Sequence, residues 1–106
     1  MKEYELGGNI RLVNFRFDSQ EMILIKKIIG NYAKKIRTFK EYQELRLEIK
    51  DHSKEKTRKF EINALLIFNG ERASANAEGL NPFVLINEVL ARVLSEVKHK
   101  TKNKES

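Results

Sequence analysis

Residues 60–82 read Phe60-Glu61-Ile62-Asn63-Ala64-Leu65-Leu66-Ile67-Phe68-Asn69-Gly70-Glu71-Arg72-Ala73-Ser74-Ala75-Asn76-Ala77-Glu78-Gly79-Leu80-Asn81-Pro82. Phe60, Ile62, Ala64, Leu66 and Phe68 alternate with Glu61, Asn63, Leu65, Ile67 and Asn69, the period of a strand with one face in a core. Asn69-Gly70 falls where the alternation ends and suits the positive backbone angles of a two-residue hairpin turn. In the returning strand, Arg72 to Glu78, the inward side chains are Ala73, Ala75 and Ala77, so whatever covers them approaches closely. Asn81 then caps a helix, with Pro82 at its first position.

Downstream of this hairpin, Phe83, Ile86, Leu90, Val93 and Val97 recur at spacings of three and four, which predicts one buried helical stripe. The tail from Lys98 to Ser106 is expected to fray, its lysines complementing the negative end of the helix dipole. Upstream, Leu45, Leu47 and Ile49 face one way and Glu44, Arg46, Glu48 and Lys50 the other, predicting a half-exposed strand. Asp51 to Lys59 contains no apolar residue, so a mobile hairpin loop is expected there.

Further back, Met22, Ile25, Ile29, Tyr32, Ile36 and Phe39 mark a first helix, capped by Asp18 or Ser19 with Glu21 in its first turn. Ile10 to Phe17 precedes it as a strand expected to put Val13, Phe15 and Phe17 on one face and Asn14 and Arg16 on the other.

The order is strand, helix, strand, strand, strand, helix. It predicts an α+β domain of two layers: a four-stranded mixed sheet with both helices on one face and the other face in water. The 106 residues, 41% apolar and 34% charged, suffice for one domain. We expect residues 1–106 to form it, with a core from about 9 to 98 and a basic tail from about 99 to 106. Cys is absent, which removes disulfides, thiolate nucleophiles and Cys-based zinc sites. No run of about 18 apolar residues occurs and the start lacks a secretory pattern, so a cytoplasmic protein without membrane association is expected.

Twenty-one Lys and Arg against fifteen Asp and Glu give a net charge of +6, which favours a polyanionic partner. The charge is concentrated. Between Met22 and Lys40 there are six basic residues, Lys26, Lys27, Lys34, Lys35, Arg37 and Lys40, and no acid. At about 100° per residue Lys26, Lys27, Lys34, Arg37 and Lys40 share an arc beside the apolar stripe, while Lys35 points elsewhere. Solvated helix faces usually mix Glu with Lys, because opposite charges at i,i+4 stabilise and like charges cost a few tenths of a kcal/mol. A crowded cationic face is relieved by phosphates. Gly30 lies in the same arc, at a cost of about 1 kcal/mol relative to Ala.

Two further basic groups are Lys54, Lys56, Arg58 and Lys59 in the loop, and Lys98, Lys100, Lys102 and Lys104 in the tail. His52 and His99 are the only imidazoles, and neither belongs to a metal or nucleophile motif. No Gly-rich phosphate loop or nucleophile elbow occurs. A non-catalytic protein with no cofactor and no metal is expected.

Ala75-Asn76-Ala77-Glu78-Gly79, followed by an apolar-periodic helix ending in alternating lysines, resembles the bacterial ribosome hibernation-promoting and ribosome-associated inhibitor family. Lys35-Ile36-Arg37-Thr38-Phe39 is similar to the Lys-Leu-x-x-Tyr-like run that ends the family's first helix, and Lys26 matches an earlier basic position. The resemblance implies the same element order and a short form without a second, dimerising domain. It further implies binding to the small ribosomal subunit in the channel of messenger and transfer RNA, silencing idle ribosomes under stress.

On that resemblance Arg92 stands where Lys is usual, and the tail cations Lys98, Lys100 and Lys102 fit. Asn87 replaces a usual Asp, and Ser95-Glu96 a usual Arg-Gln pair, which moves the weight of RNA contact to the first helix. The expected partner is the small ribosomal subunit or another structured RNA, with no DNA and no membrane, bound by occupancy and regulating translation. The alternatives are a stand-alone structured-RNA module and a protein-interaction adaptor that docks a partner on the open sheet face at Leu65 and Ile67.

Overall fold

The structure, a computed structural model, describes residues 3–104, and side chains from 7 to 100. Its elements run β1 (Glu3–Leu6), β2 (Ile10–Val13), α1 (Ser19–Phe39), β3 (Glu44–Asp51), β4 (Phe60–Phe68), β5 (Glu71–Gly79) and α2 (Pro82–Lys104). The strands form one mixed sheet in the order β1-β2-β3-β4-β5. β2 and β3 are parallel across the α1 crossover, and the other neighbours are antiparallel.

The expected β-α-β-β-β-α order and the two-layer α+β class are present. The sheet carries one strand more than the four expected, because Glu3–Leu6 folds back on Ile10–Val13. That hairpin turns through Gly8 and Asn9, both at positive φ (78° and 62°). The sheet therefore starts at Glu3, ahead of the boundary near residue 9 expected for the core.

Two details of the first helix crossover differ from expectation. β2 stops at Val13, because Asn14 takes a φ of 63° and breaks the period of two. Ile10 and Leu12 face the helices, Phe15 joins them after the break, and Val13 lies opposite Glu48 on the other sheet face. Asp18 is the cap of α1. Its carboxylate accepts the Glu21 N–H at 2.7 Å while Glu21 accepts the Asp18 N–H at 3.2 Å, a reciprocal capping box.

Ile25, Ile29, Ala33 and Ile36 are the buried residues of α1. Met22 and Tyr32 pack at the margin of the core, and Phe39, the last member of the expected stripe, is 40% exposed. In α2 the buried set widens from Ile86, Leu90, Val93 and Val97 to include Leu85, Val89 and Leu94, while Phe83 is half-buried. The extra burial follows from the neighbour: α2 lies over β5, where Ala73 and Ala77 are small and buried.

The register holds one face together. Leu47 pairs with Ala64, Ala64 with Ala75 and Ile62 with Ala77, so inward side chains of neighbouring strands form continuous rows. Fully burying a Leu or Ile in those rows contributes about 1.5–3 kcal/mol relative to exposure. Asn69 and Gly70 both have positive φ (50° and 75°), as the dipeptide predicts. The Asp51–Lys59 segment closes as a second hairpin, with His52 N–H donating to Lys59 O at 2.8 Å and a bridge between Lys54 and Thr57. α2 does not fray at Lys98. It continues to Lys104, and at the expected fraying point the side chains of Lys98 and Lys100 are anchored to α1 and to β5.

Candidate nucleic-acid interface

The rotation of α1 is fixed by its buried side chains. With Ile25, Ile29, Ala33 and Ile36 turned inward, the i+1 neighbours Lys26, Lys34 and Arg37 emerge on one flank, and Lys27 lies beyond them on the same side. Lys26, Lys27, Lys34, Lys35 and Arg37 are exposed and Lys40 is half-buried. Among the described residues none of the six makes an ion pair. From Lys26 to Lys34 the helix rises about 12 Å at 1.5 Å per residue.

The six cations are not equivalent. Lys35 sits on the opposite flank with its ammonium 5.1 Å from the Tyr32 ring centroid. Lys40 is the C-cap, extended at φ −160°, and its N–H donates to Ile36 O at 2.9 Å. Arg37 has a partner in the fold: its Nη2 donates to Gly8 O at 2.9 Å and its guanidinium lies 5.2 Å from the Tyr42 ring. Lys26, Lys27 and Lys34 thus remain as ammonium groups without a carboxylate, carbonyl or ring contact among the described residues.

Gly30 occupies the centre of this flank, one turn from both Lys26 and Lys34. A Cβ there would meet nothing within 4 Å, so no packing inside the chain requires the glycine. It leaves a gap in the side-chain cover of the helix between the two lysines.

The candidate residues of α2 are committed elsewhere. Arg92 Nη1 donates to Asn76 O at 2.9 Å, and Nη2 lies 3.2 Å from Glu88 Oε2. Lys100 Nζ donates to Arg72 O at 2.6 Å and lies 3.5 Å from Glu96 Oε1. These two side chains cap carbonyls on β5, the edge strand of the sheet, so they shield an edge that would otherwise template pairing with another chain. Lys98 is exposed and its ammonium lies 5.3 Å from the Phe39 ring, tying α2 to the end of α1. The Lys102 side chain lies outside the described residues.

On the open sheet face His52 Nε2 lies 3.0 Å from Glu61 Oε1, and Asn76 Nδ2 donates to Glu61 Oε2 at 2.7 Å. The hydrogen bond with His52, then that from Asn76, holds the Glu61 carboxyl below the usual range. Asp51 is likewise lowered, by hydrogen bonding from Ser53. Leu65 and Ile67 are half-buried there, among Arg46, Asn63 and Ser74. The polar network and the burial of these two aliphatics were hidden in the sequence, because both depend on cross-strand register.

Fold and surface together define a basic, two-layer α+β domain of β-α-β-β-β-α order, preceded by an edge strand, with an uncompensated cationic flank on its first helix. Among solved structures it is similar to the N-terminal domain of Protein Y from Thermus thermophilus, with a TM-score of 0.57 over 85% of this chain and 91% of that one, at 14% identity. At that identity the likeness is one of fold, and the fold is the one the hibernation-factor resemblance implies. No family model and no curated protein matches the chain. Among the described residues no helix is long and apolar enough to cross a membrane.

Proposed function

We propose that the chain is a ribosome-associated, RNA-binding protein of the hibernation-factor type, which acts by occupying the small ribosomal subunit and not by catalysis. Lys26, Lys27 and Lys34 hold phosphates, with Arg37, Lys35 and Lys40 completing the electrostatic field of α1. Arg92, Lys98, Lys100 and Lys102 contribute long-range attraction. Phosphate contacts set affinity, and the shape of the RNA does the selecting. On this reading the protein works in the cytoplasm to silence translation under stress.

The observation that carries the reading is the acid-free flank of α1, where three lysines have no partner in the described chain and an unrequired glycine lies between two of them. The fold likeness to Protein Y supports it. The decisive experiment is co-sedimentation of the protein with small ribosomal subunits at moderate salt. The Lys26→Glu, Lys34→Glu double variant should lose co-sedimentation while keeping its circular dichroism spectrum, and unchanged sedimentation rejects the proposal. Equal affinity for isolated duplex RNA points instead to a general structured-RNA module.

A further inference from the structure

A second cationic place lies away from the lysine flank, at the end of the sheet where β2 hands over to α1 and β5 to α2. A cleft of about 740 Å³ opens there, within the roughly 300–1,000 Å³ typical of small-molecule sites. Its apolar lining includes Phe17, Phe60 and Phe83, with Leu80 at the rim 71% exposed. The rings of Phe17 and Phe83 are 6.1 Å apart and inclined at 50°, a tilted pair in contact, so together they form one aromatic wall of the cleft.

The charged lining is asymmetric in what it has to spare. Glu21 and Asp51 accept from backbone donors, Glu21 from the Asp18 N–H and Asp51 from the Ser53 N–H at 2.9 Å, and the Arg58 charge acts on Asp51, so the lining sets three cations against two carboxylates. Arg16, Lys50 and Arg58 line the same cleft and make no ion pair among the described residues. Arg58 lies with its guanidinium 5.5 Å from the Phe60 ring centroid, which holds it beside the aromatic lining. α2 starts at this cleft with no acid in its first turn, so its positive dipole end is not offset there. An aromatic wall beside guanidinium groups, in a lining whose net charge is positive, suits a ligand that is both a flat ring and an anion.

We propose that this cleft binds a nucleotide, its base against Phe83 and Phe17 and its phosphate on Arg16 and Arg58. The proposal stands on the cleft alone and is independent of the reading of the lysine flank. The nucleotide is either free in solution or an unpaired nucleotide of an RNA strand, since both present the same base and phosphate.

Calorimetric titration of the full chain tests it with four probes: adenosine 5′-monophosphate, adenosine, inorganic phosphate and a single-stranded adenylate tetranucleotide. The monophosphate should bind about tenfold more tightly than either half alone. Arg16→Gln with Arg58→Gln should bring the monophosphate down to the level of adenosine. Phe83→Leu keeps an apolar side chain in the core margin and should weaken both by about tenfold through lost stacking. The Lys26→Glu, Lys34→Glu variant, which tests the lysine flank, should bind the monophosphate as the parent does. A tetranucleotide tighter than the monophosphate supports the cleft as a seat for unpaired RNA, and equal affinity supports it as a seat for a free nucleotide. No saturable binding by any nucleotide, or binding that survives loss of both arginines but not of the two lysines, overturns the proposal.

Discussion

Arg37 and Tyr42 donate to the same acceptor, the carbonyl oxygen of Gly8, at 2.9 Å and 2.7 Å. One comes from the last turn of α1 and the other from the segment leading into β3, so the first hairpin of the sheet is fastened from two elements at one atom. Gly8 has a φ of 78°, and a Cβ built on it would lie 2.5 Å from Arg37 Nη2. Gly8→Ala is therefore strained in its backbone, and the end of the Arg37 side chain must also move aside, disturbing its hydrogen bond to Gly8 O. It should destabilise the fold by about 1–2 kcal/mol or more, read as a lowered urea midpoint at unchanged slope.

Tyr42 gives this fastening a pH dependence. Burial raises the pKa of its hydroxyl above the ordinary tyrosine value of 10.0, and the nearby Arg37 charge only partly offsets that. The folded state thus holds the phenolic proton more tightly than the unfolded chain. Its contribution is fully present below the unfolded value and is lost as pH rises through the folded one. Stability measured by urea denaturation should fall from about pH 10 upward in the parent. Tyr42→Phe should be less stable at neutral pH, by about 1 kcal/mol for the lost hydrogen bond, with a shallower alkaline decline. Identical alkaline declines in the two proteins would refute the assignment.

What could be read from the sequence is what rests on periodicity and local turn chemistry. The centre of the α1 stripe, the Asn69-Gly70 hairpin and the three-alanine strand depend on neighbours within a few residues and stand as read, whereas Phe39 at the end of the stripe is exposed. β1 escaped because Glu3-Tyr4-Glu5-Leu6 offers only two apolar residues in alternation, although Gly7-Gly8-Asn9 after it carried the turn signal. The face assignment of Ile10 to Phe17 failed at one residue, Asn14, whose left-handed φ is available to asparagine but not announced by it. The lysines of α1 could be placed on a flank from spacing alone. That Arg37, Arg92 and Lys100 reach backbone carbonyls of residues 29, 16 and 28 positions away could not, since those contacts exist only once the sheet is assembled.

This division among the cations predicts how binding responds to salt. A lysine that holds a phosphate releases counterions, so replacing Lys34 by Gln should flatten the plot of log affinity against log salt by about 0.7–0.9. Arg92→Gln removes a side chain committed to Glu88 and the Asn76 carbonyl, which contributes only long-range attraction, so the slope should change much less than for Lys34→Gln. Its effect should appear instead as lost stability of about 1 kcal/mol. Fluorescence anisotropy with a fragment of ribosomal RNA across a salt series measures the first, and thermal denaturation the second. A slope changed as much by Arg92→Gln as by Lys34→Gln would contradict the division.

Gly30 separates binding from stability most sharply, because the two predictions for it have opposite signs. It lies within α1, has no positive φ, and a Cβ there meets open space, so Gly30→Ala should stabilise the fold by up to about 1 kcal/mol through helix propensity and reduced freedom of the unfolded chain. If the glycine serves the close approach of RNA between Lys26 and Lys34, the added methyl group stands in the contact. Affinity for small ribosomal subunits should then fall by several-fold while the melting temperature rises, and Gly30→Ser should fall further as the side chain grows. A variant that melts higher and binds as tightly as the parent would reduce Gly30 to a passive position, and would place the RNA farther out, on the lysine side chains alone.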